Sequence, residues 1–302
     1  GGKYRIIDFT LANCLHSGIR RVLVLTQYKS HSLQKHLRDG WSIFNPELGE
    51  YITPVPPQMR RGGGWYEGTA DAVYQNLYLL ERRTDEEVLI LSGDHIYRMD
   101  YATMLEFHAD NDAAATVACM EVGLHEARGF GVMSVDQTGR ILSFEEKPSK
   151  PDTLPDNPDY ALASMGIYVF NRDLLLDELF RDSKEKDSSH DFGHDVIPEH
   201  IDSHRVFAYP FHDVQTRAQS YWRDVGTVDA YFRANLELVY VHPELNLYDE
   251  QWPIWTYQEQ VPPAKFVWDA PGRRGEAIQS MVSGGCVISG STIYNSLLFT
   301  NC

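Results

Sequence analysis

Two aspartates and a lysine stand where an α/β protein could use them. In EEVLILSGDHIYRMDY, Asp94 falls just past the carboxyl end of an apolar strand run, with a helix start near Asp100. Ligands of open α/β sheets bind at such strand ends. A carboxylate there suits Mg²⁺, a hard cation that takes oxygen ligands and keeps one or two protein carboxylates beside substrate phosphates. A second carboxylate should then exist. Asp224 in YWRDVGT follows a short β-like stretch and precedes a helix capped by Thr227, so it could reach the same rim from another strand. An Asx turn or a helix cap is the competing account of each aspartate. In ILSFEEKP a strand run is stopped by Pro148. There Lys147 offers a mobile ammonium to a phosphate and Glu146 can accept hydrogen bonds from sugar hydroxyls, with a solvated strand-end lysine as the plain alternative.

Other segments are more equivocal. MRRGGGWYEGTADAV joins a glycine-rich loop, the pair Trp65 and Tyr66, and a helix N-terminus at Gly68–Thr69. Amides and dipole there favour an anion or a base edge, although a glycine loop before a helix is usually just a turn. His190 and His194 in SSHDFGHDVIP have metal-ligand spacing beside Asp191 and Asp195. The interruption at Gly193 and the apolar Val196–Ile197 read better as a capped helix start, which makes these histidines structural. The chain has no GxSxG, HExxH or CxxC string, so hydrolase, zinc-protease and dithiol chemistry have no anchor.

Alternating elements must position these residues. Strand runs at Arg21–Thr26, Glu87–Leu91, Ala114–Val122, Gly131–Val135 and Met165–Phe170 predict a buried, mostly parallel sheet. Helices are expected from Thr69 through Val73, Leu77 and Leu80, over Tyr101–Ala109, and over Thr227–Tyr240. The βαβα order puts helices on both sheet faces. From Asn246 to about Gly275 the chain turns rich in proline, tryptophan and glycine and reads as a packed linker. Beyond it Met281, Val287, Ile293 and Phe299 recur every six residues, the rhythm of a hexapeptide β-helix, with roughly three repeats. The expected division is 1–245, an α/β domain; 246–275, linker; and 276–302, the start of a β-helix.

Composition narrows the partners. The 302 residues suffice for one large α/β domain and part of a second. With 43% apolar and 23% charged residues the chain reads as an ordinary soluble protein, with no stretch approaching the roughly 18 apolar residues of a membrane span. The formal charge of -16 and the lack of a basic stripe argue against nucleic acid. A few cations focused in one cleft can still bind a small anion. Cys14, Cys119, Cys286 and Cys302 are far apart, which fits a reducing cytosol rather than a disulfide framework or zinc site.

The strings GGKYRIIDF, LTQYKSH, WYEGTADAV, SGDHIYRMDY, FEEKP, ASMGIYVF, SHDFG, YWRDVGT, PPAKF and SGGCVISGS together make the chain resemble the bacterial-type ADP-glucose pyrophosphorylases over essentially its whole length. The resemblance implies a doubly wound α/β nucleotide-sugar pyrophosphorylase domain followed by a left-handed β-helix. It implies ATP and glucose-1-phosphate as substrates and Mg²⁺ as cofactor. It also implies small-molecule effectors, a homotetramer, and a cytoplasmic place in glycogen synthesis. By resemblance Asp94 is the catalytic aspartate and holds Mg²⁺ with Asp224, while Lys147 binds the phosphate of glucose-1-phosphate. Glu146, Ser164 and Gly131 contact the sugar, and Tyr66 lines the cleft near ATP. Arg5 matches a position linked to regulatory ligands, though a salt-bridged strand-start arginine accounts for it equally well.

The family's first strand and its GGRGTRL-type triphosphate loop would precede Gly1, and most of the β-helix would follow Cys302. The chain therefore reads as a fragment expected to have little or no activity alone. The rival readings are a related pyrophosphorylase using another nucleoside triphosphate, a non-catalytic regulatory subunit and, least, a hexapeptide acyltransferase.

Overall fold

Short β-branched runs and capped helical stretches alternate from the first residues, and the elements follow them. The computed structural model describes residues 1–58, 65–81, 86–212 and 219–302; the glycine run at 59–64, expected to favour an anion, lies outside the described residues. The order is α1 (Ile6–His16), β1 (Arg21–Leu25), α2 (His31–Gly40), β2 (Tyr51–Val55), α3 (Thr69–Tyr74), β3 (Glu87–Leu91), β4 (His95–Tyr97) and α4 (Tyr101–Asp110). Then come β5 (Ala115–Gly123), α5 (Leu124–Ala127), β6 (Gly131–Val135), β7 (Ile141–Glu146), β8 (Tyr160–Asn171), α6 (Arg172–Asp182), α7 (Ile197–His200), β9 (Val206–Pro210), β10 (Trp222–Asp224) and α8 (Val228–Glu237). The C-terminal part holds β11 (Lys265–Val267), β12 (Glu276–Ile278), β13 (Met281–Val282), β14 (Val287–Ser289), β15 (Thr292–Tyr294) and β16 (Leu297–Leu298).

Capping chemistry sets several boundaries. Asp100 accepts from the amide of Ala102 at 3.0 Å to start α4, and the Thr227 hydroxyl accepts from Ala230 at 3.2 Å to start α8. The expectation that Thr69 caps its helix is corrected. Gly68 is the extended N-cap, α3 ends at Tyr74, and Leu77 continues in a separate 3-10 turn, Leu77–Leu79. Gly68 has to be glycine, because a Cβ there would sit 2.2 Å from the His190 carbonyl.

Almost every residue of β5 and β8 is apolar, and the pleat sends neighbours to opposite faces. Val117 and Cys119 join Tyr168 and Phe170 in one core, while Ala118, Met120 and Val122 join Met165, Ile167 and Val169 in the other. Both faces then need covering, which makes the domain doubly wound. Residues of α3, α6 and α7 enter the first core and residues of α1 and α4 the second.

Among the described residues the central sheet has six strands. β8 is its spine: β5 runs antiparallel along one edge, while β3 and β6 share the other edge end to end. The sheet is mixed, with β3, β5, β6 and β9 running one way and β7 and β8 the other. The long strand begins at Tyr160, earlier than the run Met165–Phe170 suggested, because that extension pairs with β5 and β6.

In the C-terminal part, β11 pairs with β14, β12 with β15 and β13 with β16, all parallel, as successive turns of a left-handed β-helix require. β11 lies inside the stretch read as linker yet already forms a rung. The six-residue rhythm found the architecture but not every phase: Val287 and Phe299 are exposed, and Ile288, beside Val287, is buried with Cys286.

One buried carboxylate ties the N-terminus to the linker. Asp8 on α1 is fully buried. Its Oδ1 accepts from His36 Nε2 at 2.5 Å and Trp41 Nε1 at 2.9 Å, and its Oδ2 from the Arg5 amide at 2.8 Å and the Thr256 hydroxyl at 2.6 Å. We expect Asp8→Ala, which leaves these donors without an acceptor, to lower unfolding free energy by about 3–5 kcal/mol in urea denaturation. A loss below about 1 kcal/mol would refute its role as a tie.

Candidate functional site

β3 and β6 do not meet along their shared edge of β8. β3 ends at Leu91 opposite Ile167, and the β6 pairing begins at Val132 opposite Ala163. The interval faces Ser164, Met165 and Gly166, and the chain leaving β3 turns away there as Ser92-Gly93-Asp94. Gly166 has φ +66, a left-handed conformation that favours glycine, and a Cβ on it would stand 3.0 Å from Ser92 Oγ and 3.4 Å from His95 Cε1. Ser164, 7% exposed on the spine, accepts from the Gly166 amide at 3.2 Å through its hydroxyl.

On one side of this fork β4 and β10 form an antiparallel ladder that sets Asp224 opposite His95. The Val225 amide donates to the Asp94 carbonyl at 3.3 Å, which locks the two aspartate loops together. Asp94 is 62% exposed, with His95 Nε2 at 3.6 Å from its Oδ1. Asp224 Oδ1 accepts from the Gly226 amide at 2.8 Å, so the Asx-turn account holds for this residue while its other oxygen remains for a ligand. Burial pushes the His95 imidazole down from its usual pKa, against the upward pull of Asp94 and Asp224. Two carboxylates converging on one rim fit a hard divalent cation, with phosphate oxygens completing its shell. Among the described residues no group of three or more His, Cys, Asp or Glu forms a closed cage.

On the other side Gly131 pairs with Glu146 across the β6–β7 ladder. A Cβ on Gly131 would come within 2.4 Å of Phe144 Cζ and 2.8 Å of Glu146 Oε2, and one on Gly193 within 2.7 Å of that same oxygen. The carboxylate of Glu146 is thus seated between two glycines. Lys147, at φ +47 and with its amide bonded to the Phe130 carbonyl at 3.0 Å, turns its chain out of the sheet. Its Nζ lies 3.2 Å from Glu146 Oε1 and its side chain is 64% exposed, leaving the ammonium open to an anion. Trp222 spans the two sides, its ring 4.9 Å from that of His95 and 5.4 Å from that of Phe130.

Most of the residues read from the sequence therefore meet at one fork: Asp94 and Asp224 on one side, Gly131, Glu146 and Lys147 on the other, and Ser164 on the spine. Tyr66 is placed differently. It is 9% exposed, and its hydroxyl accepts from Asn76 Nδ2 at 2.9 Å, while Trp65 is 56% exposed and stacks edge-on with Tyr28 at 5.8 Å. Arg5 stands apart as the residue before α1, not at a strand start, and its guanidinium donates to the Ser32 carbonyl at 3.1 Å and hydroxyl at 3.0 Å. It lines a separate cavity of about 340 Å³ with Lys3, His36, Tyr257 and Ser283.

His190 and His194 are structural, as read. His190 Nδ1 bonds Asp182 at 2.7 Å, and its carbonyl accepts from the amides of Ala70 at 2.8 Å and Asp71 at 3.3 Å. Those are amides the helix start at Gly68–Thr69 would have offered an anion, so that expectation is corrected. Trp222, His95 and Gly193 were missed. Strand pairing brings in His95 and Trp222, and the turn at Phe192–Val196 brings Gly193 against Glu146, although the shared string WRD placed Trp222 near Asp224.

The segment carrying Gly193 is fixed by carboxylates. Asp191 accepts from the amides of Gly193 at 2.9 Å and His194 at 3.2 Å, and Asp195 from Ser189 Oγ at 2.5 Å and the Asp191 amide at 3.0 Å. Burial pulls the Asp195 pKa up, but these bonds and His194 outweigh it and leave it at about 2, below the usual 3.8. Its stabilising contribution is full above about pH 4 and is lost as pH falls toward 2. Asp195→Asn should flatten the acid-side fall of melting temperature over that window; identical slopes in both proteins would contradict this.

Comparison with known proteins adds the following. A family model described as Nucleotidyl transferase matches residues 1–240, and one described as GlmU-like, C-terminal hexapeptide matches 262–302. A glucose-1-phosphate adenylyltransferase 2 of Vibrio vulnificus is 58% identical over 303 residues, covering 100% of this chain and 75% of the relative. Another so named from Alkalilimnicola ehrlichii is 57% identical, and a glucose-1-phosphate adenylyltransferase of Methylococcus capsulatus is 56% identical, each match covering 100% of this chain and 71% of the relative.

Proposed function

The chain belongs to the glucose-1-phosphate adenylyltransferases, within the nucleotidyl transferase family, and from that membership we propose how its residues share the reaction. The enzyme joins ATP and glucose-1-phosphate into ADP-glucose and pyrophosphate. A phosphate oxygen of glucose-1-phosphate attacks the α-phosphorus of ATP in line and pyrophosphate leaves, so catalysis needs positioning and charge neutralisation rather than a protein nucleophile.

The observation that carries the division of roles is the fork with its two sides. Lys147 takes the phosphate of glucose-1-phosphate, since its ammonium is exposed and its chain is turned outward at the end of β7. Glu146, seated between Gly131 and Gly193, accepts from sugar hydroxyls, and Ser164 lies on the spine between the sides. Asp94 and Asp224 would hold Mg²⁺, which when bound neutralises charge developing on the phosphate oxygens. Tyr66, its hydroxyl bonded to Asn76, is assigned to the cleft near ATP by its family string.

Further features of the whole enzyme belong to the same reading. No helix among the described residues is long and apolar enough to cross a membrane. We place the enzyme in the cytoplasm, in glycogen synthesis, as a homotetramer. The unit that begins the β-helix starts near Pro262, ahead of β11. We assign an anionic effector to the cavity lined by Lys3 and Arg5, whose two cations outnumber the single carboxylate of Glu259 on its wall.

In the complete enzyme, Asp94→Asn should lower kcat by about two orders of magnitude or more while substrate binding largely survives. Unchanged kcat would remove Asp94 from the chemistry. Lys147→Gln should raise KM for glucose-1-phosphate by about tenfold or more with KM for ATP little changed, since it contacts a group present in ground and transition states alike. An equal loss for ATP would contradict the assignment. Pyrophosphate release with ATP, UTP, dTTP and GTP in turn tests base specificity, with ATP expected to dominate.

A further inference from the structure

α1 lies along the whole segment that carries Asp94. Ile7 Cδ1 would stand 3.2 Å from a Cβ on Gly93, which packs the loop against the helix. Thr10 Oγ1 donates to the Ser92 carbonyl at 3.2 Å. Asn13, fully buried, donates through Nδ2 to the Tyr97 carbonyl at 3.2 Å and accepts through Oδ1 from the Met99 amide at 3.3 Å. Ser17, the C-cap, accepts from the Tyr101 amide at 2.7 Å through its hydroxyl. Ile7, Thr10, Asn13 and Ser17 follow the helical repeat, so they form one face. That face grips the chain on both sides of Asp94, at Ser92–Gly93 and at Tyr97–Tyr101.

Asn13 has a further partner from outside the catalytic core. Trp252, in the linker, donates its indole N–H to the same Oδ1 at 3.2 Å. The indole is itself clamped, with the His16 ring 4.4 Å away and the Arg98 guanidinium 5.0 Å over its face, while Arg98 also pairs with Asp249. The side-chain amide of Asn13 is thereby fixed in one orientation. A flipped amide would turn its NH₂ toward the Met99 and Trp252 donors and its oxygen toward the Tyr97 carbonyl.

We propose that Thr10 and Asn13 are positioning residues for Asp94, and that Trp252 of the linker sets Asn13, so that the seating of the linker is transmitted to the catalytic loop. The proposal rests on the reading of Asp94 as the carboxylate of the reaction. A misplacement of a reacting or charge-bearing group by about 1 Å can cost about 100-fold in rate, so a modest release of this grip is measurable.

The test uses Thr10→Val, Thr10→Ser and Trp252→Phe in the complete enzyme, with Asp94→Asn beside them. Valine keeps the volume of threonine without its hydroxyl, serine keeps the hydroxyl, and phenylalanine keeps an aromatic ring for His16 and Arg98 without the N–H. Thr10→Val and Trp252→Phe should lower kcat about tenfold with KM for glucose-1-phosphate within about twofold. Thr10→Ser should stay within about twofold of the parent. In metal-free protein, amide hydrogen exchange across His95–Met99 should quicken about tenfold in Trp252→Phe. Normal kcat in both Thr10→Val and Trp252→Phe, beside an inactive Asp94→Asn, overturns the proposal and spares the reading of Asp94. So does a joint change of kcat and KM with a lowered melting temperature that Thr10→Ser fails to rescue, since that marks a merely structural role. An Asp94→Asn enzyme of normal kcat overturns the reading of Asp94 and the proposal with it.

Discussion

The pairing of β8 constrains everything else. A strand of 12 residues pairs with one partner along one edge, its register shifted between Val117 and Cys119, and with two shorter ones, end to end, on the other. Where the two fail to meet, the ladder lapses in the middle of a sheet that is otherwise buried on both faces. Backbone groups there turn to side chains instead of a neighbouring strand, the Gly166 amide to the Ser164 hydroxyl and its carbonyl to Ser92 Oγ, and polar side chains from several directions can be presented into the gap. Gly166 lets the spine bend through that interval in a conformation other residues avoid.

Around the opening, precision comes from crowding. Gly131 and Gly193 lack the Cβ that would displace Glu146, and Trp222 bridges the two sides through ring contacts with His95 and Phe130. Asp94 and Asp224 are held in register by a short ladder rather than by contacts between themselves. Packing thus does the positioning, and the ionisable groups remain available. This is the division of labour expected where transition-state charge has to be met by preorganised partners.

The legible part of the fold was its strands and caps. β3 and β6 coincide with runs read directly from periodicity, and Asp100 and Thr227 cap the helices that follow them. The misreadings share a physical cause. Thr69 looked like a cap because its hydroxyl could serve locally, yet that hydroxyl donates to Asp191 at 2.9 Å, far away in sequence. Val287 fell into the inward phase of a six-residue count, whereas Ile288 is the buried neighbour. In the site, the family strings supplied Asp94, Asp224, Glu146 and Lys147, but the fork that unites them is a property of pairing between distant strands, which no local pattern encodes.

Thr256 reaches Asp8 across 248 positions of the chain. Asp8 lies in the first helix of this chain and its last donor near the start of the solenoid, so during synthesis the carboxylate is made long before it can be fully satisfied. At about 5–20 residues per second, that interval lasts about 12–50 s. Throughout it α1 can pair with α2 through His36 and Trp41 but lacks the strap that closes over it. The α/β domain is therefore made before the strap that seals this seam, and the surface that the linker will cover stays open until Thr256 arrives.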